Sequence, residues 1–396
     1  MNINDSPEQA RFRAEVRDWI ARDVPPHAKN LRQGIVQGAG PGKAVEEALE
    51  AALALKGWQT PSIPAEHGGA GFSLLERVIF EEELTDAGVP YLYSLGRELL
   101  CPILSRYGTP EQRERWLIPT IRGELTWAQG YSEPGAGSDL ANLQLRAERR
   151  GDEFVLNGQK IWTSMAHVAD WIFLLVRTDP NAARKQEGIS FLLVDLHSPG
   201  VTVRPLITID DHHNFNETFF EDVRVPADQL VGELNQGWTV AKALLGHERF
   251  THPTANPTII GRTLENVKEA ARRTPANGGV AWDDVGLRRR VAALEMDTDC
   301  MRYTRFRSLT LVAKGEAPGP ETMIFKLLGS ELTQVIVELH QLVEGPAGIT
   351  WGDEPFGPLV GEPANHAANI RGATIRGGTS EVQRNVVSKR VLRLPD

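Results

Sequence analysis

Two groups of residues in this chain have the types and spacing to do chemistry. The first lies in "GWTVAKALLGHERFTH", residues 237–252. At about 100° per residue, Trp238, Ala241, Leu244, Leu245, Glu248 and His252 fall on one helical stripe. Most of that stripe is apolar and turns inward, so Glu248 is not a solvated surface charge. Partial burial raises a carboxyl pKa and suits it to proton abstraction near neutral pH. The same position also suits a core carboxylate bonded to Arg249 or His252. The second group is "WAQGYSEPGAGSD" (127–139) with "LNGQKIWTS" (156–164). Small residues at Gly130, Gly135, Ala136 and Gly137 let backbone approach a flat ligand. Hydroxyls at Ser132, Ser138 and Ser164 offer the few polar contacts of an apolar slot, and Trp162 can cover a ring face. Taken alone, the stretch is equally a glycine-rich turn of a β domain. "GAGSD" has no strand–turn–helix frame, so it is no dinucleotide fingerprint. His212 and His213 are adjacent and lack ligand spacing, so no metal is expected.

Three blocks of elements must position these residues. The first third has helical period. "SPEQARFRAEVRDWIARDV" opens on a Ser6 cap and Pro7, with Phe12, Val16, Trp19 and Ile20 at helical spacing. "AVEEALEAALALKGW" and "LLERVIFEEELTDAG" repeat the pattern and end in glycine. "TPEQRERWLIPTIRGE" is a further helix, capped by Thr109. Near residue 125 the period shortens. "EFVLNGQKIWT", "DWIFLLVRTD", "GISFLLVDL", "GVTVRPLIT" and "FNETFFEDVRVP" read as strands between Gly, Pro, Asp and Asn. No helices separate them, so an antiparallel sandwich or barrel fits better than a doubly wound parallel sheet. After "GELNQGW" the helical period returns, broken by a loop at "TPANGGVAWDD". The fold class is α+β: helical residues 1–125, a central β domain 126–236 and a helical domain 237–396. Pro253 and Pro257 leave open whether the helix bearing Glu248 kinks or ends early.

The chain has 396 residues, enough for two or three domains. Net charge is −9 with no basic block, which argues against nucleic-acid or anionic-membrane partners. The two cysteines, Cys101 and Cys300, have no disulfide or metal spacing. The N-terminal stretch lacks an apolar signal core, and the longest apolar runs are too short to span a bilayer. A cytoplasmic enzyme is expected.

The motifs at 127–139 and 156–164 strongly resemble those of the acyl-CoA dehydrogenase family. "GWQTPSIPAEHGGAG", "DVRVPADQLVGELNQGW" and "GGTSEVQRNVVSKRVL" follow in family order at family spacing, so the resemblance covers nearly the whole chain. It implies an N-terminal helical domain, a β domain and a C-terminal four-helix bundle. It also implies FAD as cofactor and an acyl-CoA thioester as substrate. By position, Gln129, Tyr131 and Ser132 would line the isoalloxazine. Trp162, with Thr163 beside it, would pack on the ring, and Ser164 would bond near N5. Ser138 would face the acyl-CoA, and Gln341, Thr379 and Glu381 would contact the dinucleotide portion.

The family's usual base is a glutamate at the position of Gly377, in "ATIRGGTSEVQRN". Some members carry it instead on the first long helix of the C-terminal domain, before an arginine. Here that pair is Glu248 and Arg249. The resemblance makes Glu248 the α-proton base and has Arg249 hold the CoA moiety. The Gly377 N–H would polarise the thioester carbonyl, a kind of contact worth about 3 kcal/mol. FAD would accept the hydride, giving the trans-2-enoyl-CoA, and an electron-transfer flavoprotein would reoxidise it.

Two departures bear on assembly. The Arg-x-x-Phe-Gly segment of homotetrameric members is absent from "ANGGVAWDDVGLRRRVAALEMD". The Gln-x-x-Gly-Gly stretch reads "QLVEGP", which puts the carboxylate of Glu344 near a pyrophosphate. With "LLGHER" and "RGGTSE", this resembles one half of two-gene enzymes such as pimeloyl-CoA dehydrogenases and those of steroid side-chain breakdown. A heterotetramer with a second subunit of the same fold is implied, a homo-oligomer being the alternative. Alternative functions on the scaffold are a flavin monooxygenase, a desulfinase, or a structural subunit whose partner holds the active site.

Overall fold

The computed structural model describes residues 5–31, 42–251, 255–316, 319–351 and 362–395; side chains are not described at 247–251, 320, 362 and 363. Two compact units emerge. One gathers the chain up to Ala52, Ser73–Tyr91 and the chain from Arg249 onward; the other holds Leu53–Phe72 and Leu92–Glu248.

The second unit is built on one seven-stranded sheet. Its strands are β1 (Trp127–Gly130), β2 (Arg146–Arg150), β3 (Glu153–Lys160), β4 (Trp171–Arg177), β5 (Ile189–Asp195), β6 (Val201–Ile207) and β7 (His213–Pro226). The order is β1-β4-β2-β3-β7-β6, with β5 also paired to β4. Most pairings are antiparallel, as the strand punctuation predicts. Two are parallel: β1 lies along the start of β4, and Arg146 of β2 meets Arg177 at its end.

The runs "WIFLLVR" and "ISFLLVD" are buried almost throughout because both faces of the sheet are covered. Phe173, Leu175, Phe191 and Leu193 pack against Leu99, Leu104, Trp116 and Leu117 from the helical segments at 96–122, and against Val240, Ala241 and Leu244 of the 237–251 helix. Their alternates Ile172, Leu174, Val176, Leu192 and Val194 meet Phe154, Leu156, Phe220 and Val223 on the other face. The inward stripe expected on the 237–251 helix is present in its described part, with Trp238 and Leu245 packed against the same core. That helix ends at Thr251 and a new one starts at Pro257, capped by Asn256, so the two are separate helices. Pro253 lies outside the described residues.

The first unit is helical. Helices Pro257–Arg273, Val285–Ala313 and Phe325–Glu344 share one core with the 362–370 helix through Leu264, Val267, Val291, Leu294, Ile336 and Ile370. Pro7–Arg22 opens with the expected Ser6 cap, completed by Gln9 as a capping box. It packs Trp19 on Phe80 of Leu74–Asp86, and Arg13 and Arg17 both bond the buried Glu83. Arg305 reaches back to Glu81 at 2.9 Å, tying the 74–86 helix to the C-terminal helices. The stretch read as a loop at 274–284 holds a minimal hairpin, Pro275–Ala276 against Gly279–Val280. Asn277 and Gly278 take the positive φ that a two-residue hairpin turn requires. Among the described residues no helix is long and apolar enough to cross a membrane.

One buried ion pair positions the end of β3. Lys160 is fully buried and donates to Glu133 at 2.8 Å and to the Tyr131 carbonyl at 3.1 Å. Glu133 also accepts the N–H groups of Gln144 (2.5 Å) and Leu145 (2.9 Å). Burial pulls the Lys160 ammonium down to about 8, with Glu133 opposing that fall. Replacing one member leaves the other charged and buried without its partner. Lys160→Ala or Glu133→Ala is expected to cost about 3–5 kcal/mol, read as a fall in the urea midpoint. A loss below about 1 kcal/mol, the range of exposed pairs, would contradict this assignment.

Candidate functional site

The ion pair fixes where β3 hands over to the turn that follows it. Ile161 N–H donates to the Ser132 carbonyl at 2.9 Å, so the 131–133 and 160–164 segments lie side by side. Gln129, Tyr131, Ser132, Trp162, Thr163 and Ser164 are thereby brought into one neighbourhood.

Within the turn, Trp162 and Met165 both sit at φ +59°, in the left-handed region that non-glycine residues rarely adopt. The strained shape is held from β7. Thr163 N–H donates to the Asn216 carbonyl at 3.0 Å, and Met165 N–H to the Asn214 carbonyl at 2.8 Å. Asn216 Nδ2 donates to the Thr163 carbonyl at 3.0 Å. The edge of Phe215 supports the indole, with ring centroids 5.8 Å apart at 84°. Trp162 is nonetheless 55% exposed: a large ring is fixed in place with much of its surface uncovered.

The hydroxyls of Ser132 and Ser164 are half-buried and have no hydrogen-bond partner among the described residues. Thr163 points the other way. Its side chain is fully buried, and its hydroxyl also lacks a partner among the described residues. Gln129 is half-buried in β1, and Tyr131 is buried with its ring edge-on to Phe173, 6.1 Å between centroids. Ser138 is exposed beyond the tight turn that pairs Glu133 with Ala136.

The small residues divide into two kinds. A Cβ on Gly130 would come within 2.2 Å of Leu174 Cδ2, and Ala136 is buried in the core. At Gly130 the missing side chain lets β1 pack against Leu174 and Ile172 of β4. Gly135 and Gly137 face open space.

The remaining residues of interest belong to the helical unit, except Glu248, which ends the sheet unit. Gly377 and Gly378 have φ of +65° and +94°, two successive left-handed residues. Thr379 then caps the last helix by accepting from Val382 N–H at 3.2 Å. Glu381 is exposed in its first turn, and its own backbone N–H and the Thr379 hydroxyl hold its carboxyl below the usual range. The segment leading in is pinned from the 325–344 helix: Lys326 donates to the Ala373 carbonyl at 2.6 Å and Gln334 to the Ile370 carbonyl at 3.1 Å. Gln341 donates to the Gly348 carbonyl at 3.3 Å. Glu344 is not a bare charge. His340 stands 3.6 Å away and Arg273 bonds it at 3.0 Å, and the two hold its carboxyl below the usual range against burial. Glu248 and Arg249 lie on the 237–251 helix, but their side chains are outside the described residues, as is His252.

Three residues escaped sequence reasoning. Lys160 and Glu133 were inside quoted motifs without a role. Period-two alternation puts Lys160 on the face of Phe154 and Leu156, a signal that it is buried. Asn216 carried no local signal, since the Thr163 carbonyl that it holds lies 53 residues upstream. Of the histidines, His213 stacks on His167 with centroids 3.9 Å apart, and His212 turns to the Asp210 carbonyl at 2.8 Å. Cys101 is buried and Cys300 exposed.

Comparisons with known proteins agree with this architecture. Models of the acyl-CoA dehydrogenase N-terminal, middle and C-terminal domains match residues 6–124, 128–223 and 235–392. The chain is 41% identical over 392 residues to acyl-CoA dehydrogenase IpdE1 of Mycobacterium tuberculosis, covering 97% of each chain. It is 33% identical to acyl-CoA dehydrogenase FadE26 of the same organism, covering 100% of this chain and 99% of that one. Among solved structures, the Tcur3481-Tcur3483 steroid ACAD superposes with a TM-score of 0.83 at 32% identity over the whole of both chains. The ChsE4-ChsE5 complex from Mycobacterium tuberculosis gives 0.81 at 32%, again over the whole of both chains. The chain therefore belongs to the acyl-CoA dehydrogenase family and is an enzyme of that kind.

Proposed function

We propose that the chain carries out FAD-dependent α,β-dehydrogenation of an acyl-CoA thioester, forming the trans-2-enoyl-CoA, with a steroid-derived acyl group as the substrate class. One observation carries the cofactor part of this reading. An indole is held in place with much of its surface uncovered just after β3, and the hydroxyls of Ser132 and Ser164 nearby have no hydrogen-bond partner among the described residues. A flat, mostly apolar ligand with a few polar edge atoms matches that surface. The steroid part rests on the likeness to the Tcur3481-Tcur3483 steroid ACAD.

When bound, FAD supplies the hydride acceptor. The protein's own contributions divide as follows. Trp162 covers a ring face. Ser132 and Ser164, with Gln129 and Tyr131, meet the ring's polar edge, while Thr163 acts through its backbone by holding the turn. Gln341, Thr379 and Glu381 serve the dinucleotide portion. The pairing of Glu344 with Arg273 and His340 lessens its repulsion of a phosphate. Ser138 and Arg249 bind the acyl-CoA. The Gly377 N–H donates to the thioester carbonyl, which acidifies the α-proton, and Glu248 removes it. Gly377 retains an amide but offers no carboxylate, and Glu248 is the proposed base in its place.

The cytoplasm is the proposed location. A second subunit of the same fold completes the cofactor site, and an electron-transfer flavoprotein takes the electrons. The two-component Tcur3481-Tcur3483 and ChsE4-ChsE5 assemblies support the heteromer.

The test is the visible spectrum of the chain purified with its partner. A flavin band that bleaches anaerobically on adding a steroid-derived acyl-CoA is expected. Glu248→Gln should keep the colour while bleaching roughly 10²- to 10⁴-fold more slowly. A yellow Glu248→Gln protein that bleaches at the full rate would remove the base assignment. A wild type that stays oxidised with every acyl-CoA tried would remove the reaction.

Trp162→Ala is expected to weaken flavin binding by up to about tenfold, measured by equilibrium dialysis; unchanged binding would contradict its role. Gly377→Ala places a side chain at φ +65°, which costs about 1–2 kcal/mol. A fall in thermal midpoint is the expected reading, and an unchanged midpoint would count against that backbone geometry.

A further inference from the structure

Behind the Trp162 turn lies a cluster of polar side chains to which the reading above gives no task. Asn216, on β7, is fully buried. Its Nδ2 donates to the Thr163 carbonyl at 3.0 Å and also faces His167 Nδ1 at 3.2 Å. Its Oδ1 stands 2.8 Å from His213 Nε2. The two imidazoles are stacked, 3.9 Å between centroids and 21° from parallel.

The chemistry of the partners fixes where every proton sits. A backbone carbonyl only accepts, so the amide group facing Thr163 must be the NH₂. Oδ1 then faces His213, whose Nε2 must carry a hydrogen. The second N–H of the amide points at His167 Nδ1, which must be bare. His167 is thereby held as the neutral Nε2–H tautomer. His213 satisfies its bond whether neutral or charged, but the close stacking opposes charge on both rings.

A proton on His167 Nδ1 would set donor against donor. The amide can relieve that by turning over, but Oδ1 would then face the Thr163 carbonyl, acceptor against acceptor. The bond to Thr163 is strained by that repulsion if the amide stays as it is, and lost if it turns over. Thr163 follows Trp162 in a turn whose left-handed residues persist only while their surroundings hold them.

We propose that Asn216 is a positioning residue that holds the Trp162–Ser164 turn only while His167 is neutral. The turn therefore loosens as pH falls through the titration of His167. The groups facing His167 are His213 and Asn216, both from β7. His212, the next imidazole along, is turned toward the buried Asp210 instead. Burial, then His213, pull the His167 pKa below the ordinary imidazole value. The sign follows: the fold favours the unprotonated ring, so the clamp is complete above the folded-state pKa and is lost below it. The effect on catalysis rests on the flavin reading, whereas the effect on the turn does not.

The test is ¹⁹F NMR of the full chain labelled with 5-fluorotryptophan, the Trp162 resonance being assigned by its loss in Trp162→Phe. Between about pH 8 and 5, the range in which histidines titrate, that resonance is expected to move in the wild type. In His167→Gln, which keeps an acceptor that does not titrate, it should stay fixed. Asn216→Asp, which cannot donate to Thr163, should show the low-pH position throughout. A wild-type resonance that stays constant, or one that titrates unchanged in His167→Gln, would overturn the proposal. Should Asn216→Asp fail to fold, the comparison of wild type with His167→Gln still decides. A wild type that titrates as expected but is never bleached by acyl-CoA would fault the flavin reading and leave this one intact.

Discussion

Everything that the sheet unit presents outward depends on a pair of charges hidden inside it. Moving Glu133 and Lys160 out of water is costly, and their mutual attraction offsets that only when the remaining hydrogen-bonding capacity is also met. Here it is met by backbone: two N–H groups on the carboxylate and one carbonyl on the ammonium. Those backbone groups belong to the residue that follows β1 and to the segment entering β2, and Lys160 itself ends β3. One interaction thus locks three chain segments into a single edge, and the 161–165 turn grows from that edge.

The turn shows a second use of the same logic. A left-handed tryptophan and a left-handed methionine are each unfavourable conformations. They are sustained by backbone bonds to residues 214 and 216 and by a ring edge from Phe215. The result is an aromatic face positioned from β7 with much of its surface uncovered. Rigid, uncovered aromatic surface costs solvation in the free protein and suits a ligand that brings a flat apolar face of its own. In the helical unit, Gly377 and Gly378 form a backbone bend at positive φ that Thr379 follows as a helix cap.

Much of this was legible in the sequence, and what was not has a physical reason. The Ser6 and Thr109 caps announced their helices, and the strands from β3 onward were readable from their punctuation. β1 and β2 were not, because four residues are too few for a period and "RAERR" buries little besides Ala147. The helical run at 96–107 was hidden because Arg97 and Glu98 lie on its buried side, which breaks the apolar pattern. Small residues suggest room for a ligand, but the space beside Gly130 is filled by Leu174 and Ile172. The inward face of the Glu248 helix was legible as far as Leu245. Asn216 and His167 were not, since their meaning lies entirely in contacts across the fold.

The account's central claim is that a flavin ring lies on the Trp162 turn. Amide hydrogen exchange of the chain purified with its proposed partner subunit, with and without saturating FAD, decides this. The account predicts slowed exchange within residues 129–133 and 161–165 on FAD binding. Saturation with FAD that leaves exchange in both segments unchanged would contradict it.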